Sequence, residues 1–463
     1  MDRPNIVYFV VHDLGKHIPP YGAPVEAPNL EAFAAESVKF NSAFCNAPAC
    51  TPSRCCAMTG LYAHTSGGVG LAHMGWPLPH EVPTVVDYLN NAGYETIHSG
   101  MEHERHPRDN HYQTDLEKHW VHYNAHRGVN AALTYLEERE DERPFYLNVG
   151  SQQPHGSTWG KAEDLYGGPV PPEKVYLPPY LPDREPLRRR FGRFQAAIRY
   201  MDEHFGHLLE GLERLGHADD TLVVFTTDHG IAAPRSKGTL YDRGVEITLL
   251  VRLPGGRMGG AEVRHLVQNI DFVPTLLEAV GAPRPDALQG RSFWPLLDDG
   301  DYTPHDAIFI ERNFHGEARV YGRSRDYVDR YDPVRAVRTP EFHYIKRFDP
   351  RVKRRPWLPW EVEEVPPEQC PGTASMPEPR EPRPEEELYH VRLDPQEFVN
   401  VAARPEFAAV KDRLKARLSG WMEETDDFVL RGEVPQRREE PSFGIFDDIP
   451  GDEQKAREEG WFD

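Results

Sequence analysis

Three short apolar runs constrain this chain more than any other feature. Asn5–Val11, Pro144–Val149 and Thr221–Thr227 are built from aliphatic, β-branched and aromatic residues without regular polar alternation. That pattern predicts strands buried on both faces, as in a parallel sheet covered by helices. Tyr94–Ile97 predicts a further, shorter strand. Helices fit between the strands at Pro28–Ser37, Glu81–Ala92 and Val129–Glu137. A long amphipathic helix follows, in which Phe191, Phe194, Ile198, Met201 and Phe205 recur every three or four residues, with Gly216 as its end. Strands alternating with helices in this way make an α/β fold.

Polar groups follow each strand. His12 and Asp13 come after the first, Ser99 to His103 after the second, Gln153-Pro154-His155 after the third and Asp228-His229-Gly230 after the fourth. In open α/β sheets ligands bind beyond the carboxyl ends of the strands, so these positions are expected to carry metal ligands and catalytic groups. One histidine past a strand is weak evidence, since most histidines are solvated. The same placement at four strands is a pattern that the plain reading must explain four times.

Between the first two strands lies Cys50 to Gly60, reading Cys-Thr-Pro-Ser-Arg-Cys-Cys-Ala-Met-Thr-Gly. Thr51 suits a helix N-cap, Pro52 the first helical position and Gly60 the exit, which predicts Cys50 just before a helix N-terminus. Amide donors and the positive end of the helix dipole then face whatever Cys50 holds, with Arg54 on the same side. The segment describes an anion site with a nucleophile in it; the plain alternative is a buried, inert cysteine.

Cys-x-Pro-Ser-Arg followed by Thr59-Gly60 resembles the signature of the type I sulfatases of the alkaline phosphatase superfamily, with Leu61 where that family often has arginine. The likeness runs along nearly the whole chain and is nearest to the arylsulfatase and sulfamidase (heparan N-sulfatase) branches. It implies an alkaline-phosphatase-like, mostly parallel sheet flanked by helices, with a smaller α+β C-terminal domain. It also implies that a maturation enzyme oxidises Cys50 to formylglycine, whose hydrated aldehyde attacks sulfur and whose second hydroxyl later expels sulfate. By the same likeness His12, Asp13, Cys50, Asp228 and His229 hold one divalent metal ion. Arg54 and Lys237 neutralise the sulfuryl oxygens, and His103 and His155 serve as base and acid, roles open to exchange. Two departures stand out. Calcium is the first expectation, but His12 occupies a position where the family has aspartate, and its imidazole makes manganese and zinc harder to dismiss. Met101 occupies the position of a family lysine, which removes one positive charge.

The expected activity is hydrolysis of a small anionic sulfate ester or a sulfamate. A phosphodiesterase or phosphonate monoester hydrolase of the same superfamily is the first alternative, and a non-catalytic metal-binding relative the second. At 463 residues the chain is too long for one ordinary core. We expect a catalytic domain over 1–310, a smaller domain over 311–430 and an acidic tail over 431–463. The smaller domain should open with a hairpin, Ala336–Thr339 and Phe342–Ile345, and close with a helix over Phe407–Trp421. The tail carries Phe443, Phe446, Trp461 and Phe462, which suggests packing on the body or a homo-oligomer contact. A net charge of −21 without a basic block argues against a nucleic-acid partner. Five cysteines without paired zinc spacing, no leader at Met1 and no long apolar stretch lead to the expectation of a cytoplasmic protein that does not enter the membrane.

Overall fold

The computed structural model describes residues 3–105, 110–116, 125–321, 324–349 and 383–439. In chain order the first strands are β1 (Asn5–Val11), β2 (Val38–Phe40), β3 (Ala43–Phe44), β4 (Glu95–Gly100) and β5 (Thr114–Asp115). There follow β6 (Phe145–Ser151), β7 (Thr221–Thr227), β8 (Leu249–Arg252), β9 (Glu262–Val263) and β10 (Val267–Gln268). The last four are β11 (Ile308–Tyr321), β12 (Ser324–Arg338), β13 (Phe342–Arg347) and β14 (Glu386–His390).

Eight of these form one sheet in the order β5-β4-β6-β1-β7-β8-β2-β9. The five strands from β5 to β7 are mutually parallel, and β8 runs against both of its neighbours. The lack of polar alternation in β1 has a direct cause. Ile6, Tyr8 and Val10 enter one core cluster, whereas Val7, Phe9 and Val11 enter another on the opposite face. Phe9 meets Phe205 of the long helix Glu185–Arg214 at 5.0 Å between ring centroids and Phe225 of β7 at 5.7 Å. The first core holds helix Phe272–Ala279 against the other face.

Register brings the strand ends level. Val11 pairs with Ser151 of β6 and Thr227 of β7, and Gly100 of β4 pairs with Gly150 of β6. His12, Met101, Gln152 and Asp228 therefore leave the sheet along one edge.

Several expected boundaries shift. The long helix begins at Glu185, well before Phe191, because Pro186 fits its first turn. The helix expected over Glu81–Ala92 is confined to Val85–Asn91, where the Asp87 carboxylate accepts from the Thr84 N–H at 2.7 Å. A separate antiparallel sheet, β11-β12-β13-β14, packs against helix Ala408–Glu424. Its β12–β13 hairpin matches the expected one, but the long β11–β12 pairing was not foreseen. Phe443, Phe446, Trp461 and Phe462 lie outside the described residues. No helix among the described residues is long and apolar enough to cross a membrane.

Candidate active site

Asp13 leaves β1 in the left-handed backbone region, at φ 54°. The turn aims its N–H at Asp228 Oδ1, 3.0 Å away, and the His229 N–H donates to the same oxygen at 2.9 Å. The backbone thus occupies one oxygen of Asp228 and leaves Oδ2 facing inward. His12 Nδ1 lies 2.8 Å from that oxygen. The two are not aligned as a hydrogen bond. Both ring nitrogens of His12 and Asp228 Oδ2 are buried with no hydrogen-bond partner.

His229 Nδ1 must donate to the Gly230 carbonyl at 2.9 Å, which turns the Nε2 lone pair toward the same point. Nε2 lies 3.5 Å from Cys50 Sγ, 3.5 Å from Asp13 Oδ1 and 3.6 Å from Asp228 Oδ2. Ligand atoms of His12, Asp13, Cys50 and Asp228 all fall within 4.8 Å of one another. Buried polar atoms left unpaired are costly, and a cation among them satisfies them together. These residues fit a divalent metal ion.

Cys50 is the first residue of helix Cys50–Thr59, which ends at Gly60 in the left-handed region. The expected Thr51 cap is not made. Ala49 holds the cap position, and the Thr51 hydroxyl instead accepts from the Ala72 N–H at 2.9 Å. Ser53 is buried and braces the helix, its hydroxyl donating to the Asp228 carbonyl and accepting from Asn269 Nδ2 at 3.0 Å. Burial pushes the Cys50 thiol up to about 12, with Lys237 opposing. An unmodified thiol here is protonated at neutral pH and a weak nucleophile.

Lys237 Nζ donates to both oxygens of Asp13, at 2.7 and 2.9 Å. Burial alone raises the Asp13 pKa; Lys237, His155 and His229 outweigh it and hold the carboxyl below its ordinary range. Arg54, one turn past Cys50, is buried at 3.5 Å from Glu104 Oε1 and 3.7 Å from Asp228 Oδ2. None of its nitrogens has a hydrogen-bond partner. A fork of donors is thereby held ready for a tetrahedral anion.

His103 arrives from the segment after β4 and His155 from that after β6. Their ring centroids lie 6.1 and 5.7 Å from that of His12, and His155 Nε2 is 3.8 Å from Asp13 Oδ2. Burial lowers the pKa of both, so each is a neutral imidazole at neutral pH. All nine residues singled out from the sequence therefore converge on one pocket at the sheet edge. Glu104 beside Arg54 and His73 beside His103 were not foreseen.

The chain resembles known proteins along most of its length. A family model described as Sulfatase matches residues 4–282, and one described as N-sulphoglucosamine sulphohydrolase, C-terminal, matches 230–347. The chain is 26% identical to an ulvan-active sulfatase of Formosa agariphila over 476 residues, covering 91% of this chain and 75% of that protein. It is 26% identical to the N-sulphoglucosamine sulphohydrolase of Homo sapiens over 446 residues, covering 87% and 86%. In structure it resembles a 2-O GAG sulfatase (TM-score 0.70, 19% identity, 94% and 95% covered). It also resembles a phosphonate monoester hydrolase of Silicibacter pomeroyi (TM-score 0.66, 19% identity, 94% and 100% covered). With more than half of its length matched by the family model, the chain belongs to the sulfatase family and is a sulfuric ester hydrolase.

Proposed function

We propose that this pocket hydrolyses sulfate monoesters or sulfamates, with Cys50 as formylglycine and one divalent ion bound by His12, Asp13, Asp228 and His229. The observation that carries the reading is the buried Arg54 guanidinium, without a hydrogen bond, converging with Cys50 and the unpaired His12 and Asp228 atoms. When bound, the metal supplies Lewis-acid polarisation, and formylglycine supplies the attacking oxygen. Arg54 and Lys237 hold the sulfuryl oxygens. His103 accepts the proton that turnover releases, and His155, at the partly open side, serves the leaving group. Substrates named for the relatives make a sulfated sugar the first class to test.

Two imidazole nitrogens beside two carboxylates move the metal from calcium toward manganese or zinc. The division at about residue 310 is supported by the separation of the eight-stranded sheet from the four-stranded one. Cys45, Cys50, Cys55 and Cys56 are buried and unbridged, which favours a reducing, cytoplasmic setting. A formylglycine-generating maturation enzyme and a homo-oligomer contact through the tail complete the proposal.

The phosphate alternative draws on Met101, buried at the lysine position. Arg54 and Lys237 face Asp13, Asp228 and Glu104. A divalent ion turns one net negative charge into one net positive charge. Such a site suits a monoanionic group, a sulfate monoester or a phosphodiester, and disfavours a phosphate monoester dianion. Catalytic efficiencies on three nitrophenyl esters test this: sulfate should be best, phosphodiester or phosphonate weaker and phosphate monoester poorest. A phosphate monoester as the best substrate overturns the reading.

A further inference from the structure

We infer that His73 is a positioning residue for His103, holding that ring by its Nε2. Nδ1 of His73 lies 3.1 Å from Nε2 of His103, and the two rings are nearly parallel, at 7° with centroids 5.3 Å apart. A hydrogen bond between two imidazoles needs a proton on one nitrogen and a lone pair on the other. It therefore couples the tautomers of the two rings and holds their orientation. Burial, with Lys237 adding to it at His73, keeps both rings neutral, so the contact is a bond and not a repulsion between two cations.

The loop that carries His73 is built to hold it still. His73 sits in the short turn Ala72–Met74. The Ala72 N–H, one residue away, is bonded to Thr51 Oγ1, so the turn is fastened directly to the first turn of the Cys50 helix. Gly75 closes the turn at φ 90°, and its carbonyl accepts from the Arg438 N–H at 3.1 Å. The Arg438 guanidinium donates to the carbonyls of Gly67 and Pro77 at 3.0 and 2.9 Å, bracing both ends of the loop. Trp76 stacks on Phe314 at 4.4 Å. Such fastening fixes His73 relative to Cys50, and through His73 it fixes His103.

This inference rests on the proton-accepting role proposed for His103, and the experiment separates the two. His73→Leu removes the bond. His73→Asn keeps a polar amide atom near the place of Nδ1. With the metal-loaded full chain and nitrophenyl sulfate, His73→Leu should lower kcat at least about tenfold with KM within about threefold, a fraction of what a general base contributes. His73→Asn should recover most of that loss, and thermal midpoints should match wild type. Ring 15N shifts of His103, assigned with His103→Gln, should move in His73→Leu and stay near wild type in His73→Asn. Unchanged kcat in His73→Leu, or Asn no better than Leu, overturns the inference. Wild-type protein without sulfatase turnover overturns the functional reading instead, and the 15N shifts still decide whether His73 holds His103.

Discussion

Arg54 shows how a single side chain can be committed to chemistry at the cost of its own comfort. A buried guanidinium normally takes several hydrogen bonds, and this one takes none, standing 3.5 Å or more from the nearest carboxylate oxygens. Arg54→Ala should therefore lower kcat/KM for a sulfate ester by roughly 100- to 1,000-fold, the loss typical when one preorganised donor to a developing anion is removed. Arg54→Lys should recover little, because an ammonium cannot match the planar fork. Steady-state kinetics of both variants check this, and near-wild-type efficiency in Arg54→Ala contradicts it. At this scale the sequence was informative where a residue follows a strand directly, as with Asp13 and Asp228. His73 and Glu104 escaped because their roles come from contacts between separate segments, which spacing does not encode. Thr51 was misread for a related reason: its hydroxyl bonds a loop twenty-one residues on rather than its own helix.

Strands β4 and β6 deliver His103 and His155 to the sheet edge, and their contact there depends on glycine. A Cβ on Gly150 would lie 1.9 Å from the Met101 carbonyl oxygen, so the segment entering the pocket lies directly on the Gly150 backbone. Gly150→Ala should push the strand ends apart. We expect a loss of about 1–3 kcal/mol in stability, the usual range for overpacking, together with a fall in activity from displaced His103. Urea midpoints and turnover measured on the same preparation check this, and an unchanged midpoint contradicts it. Strands β1, β6 and β7 were legible because each is buried on both faces and so is mainly apolar, whereas the two-residue, half-buried β5 was not. Nor were β8 and the β11–β12 pairing. Ile308–Tyr321 mixes Glu311, Arg312, Asn313 and His315 into the strand, and Glu311 and Arg335 are buried only because they pair across tertiary contacts with His64 and Asp427.

At the scale of the whole molecule, a buried ion cluster joins the segment after Lys237 to the C-terminal sheet. Arg338 grips Asp242 at 2.8–3.1 Å, His343 Nδ1 meets Glu397 Oε1 at 2.7 Å, and Glu397 Oε2 accepts from the Asp242 N–H at 2.6 Å. Burial lowers the His343 pKa, but Glu397 and Asp242 outweigh it and raise the ring to about 9. A group raised above its unfolded value stabilises fully below that value, about 6.5, and loses the contribution as pH passes through about 9. Unfolding free energy should therefore fall by up to about 3 kcal/mol between pH 7 and pH 10. His343→Asn should flatten that slope. Urea titrations across the range test it, and a wild-type slope no steeper than that of the variant contradicts it. The main sheet was readable from its apolar runs, and the small C-terminal sheet in part from the expected hairpin. The ion cluster was not, since Asp242 and Glu397 lie far apart in sequence and only the fold pairs them.

The most direct test of the account concerns the atom on the β-carbon of residue 50. Mass spectrometry of the tryptic peptide Phe40–Arg54 from active protein should show the Cys50 sulfur exchanged for an aldehyde oxygen. Fully active protein carrying only a thiol at Cys50 would contradict it.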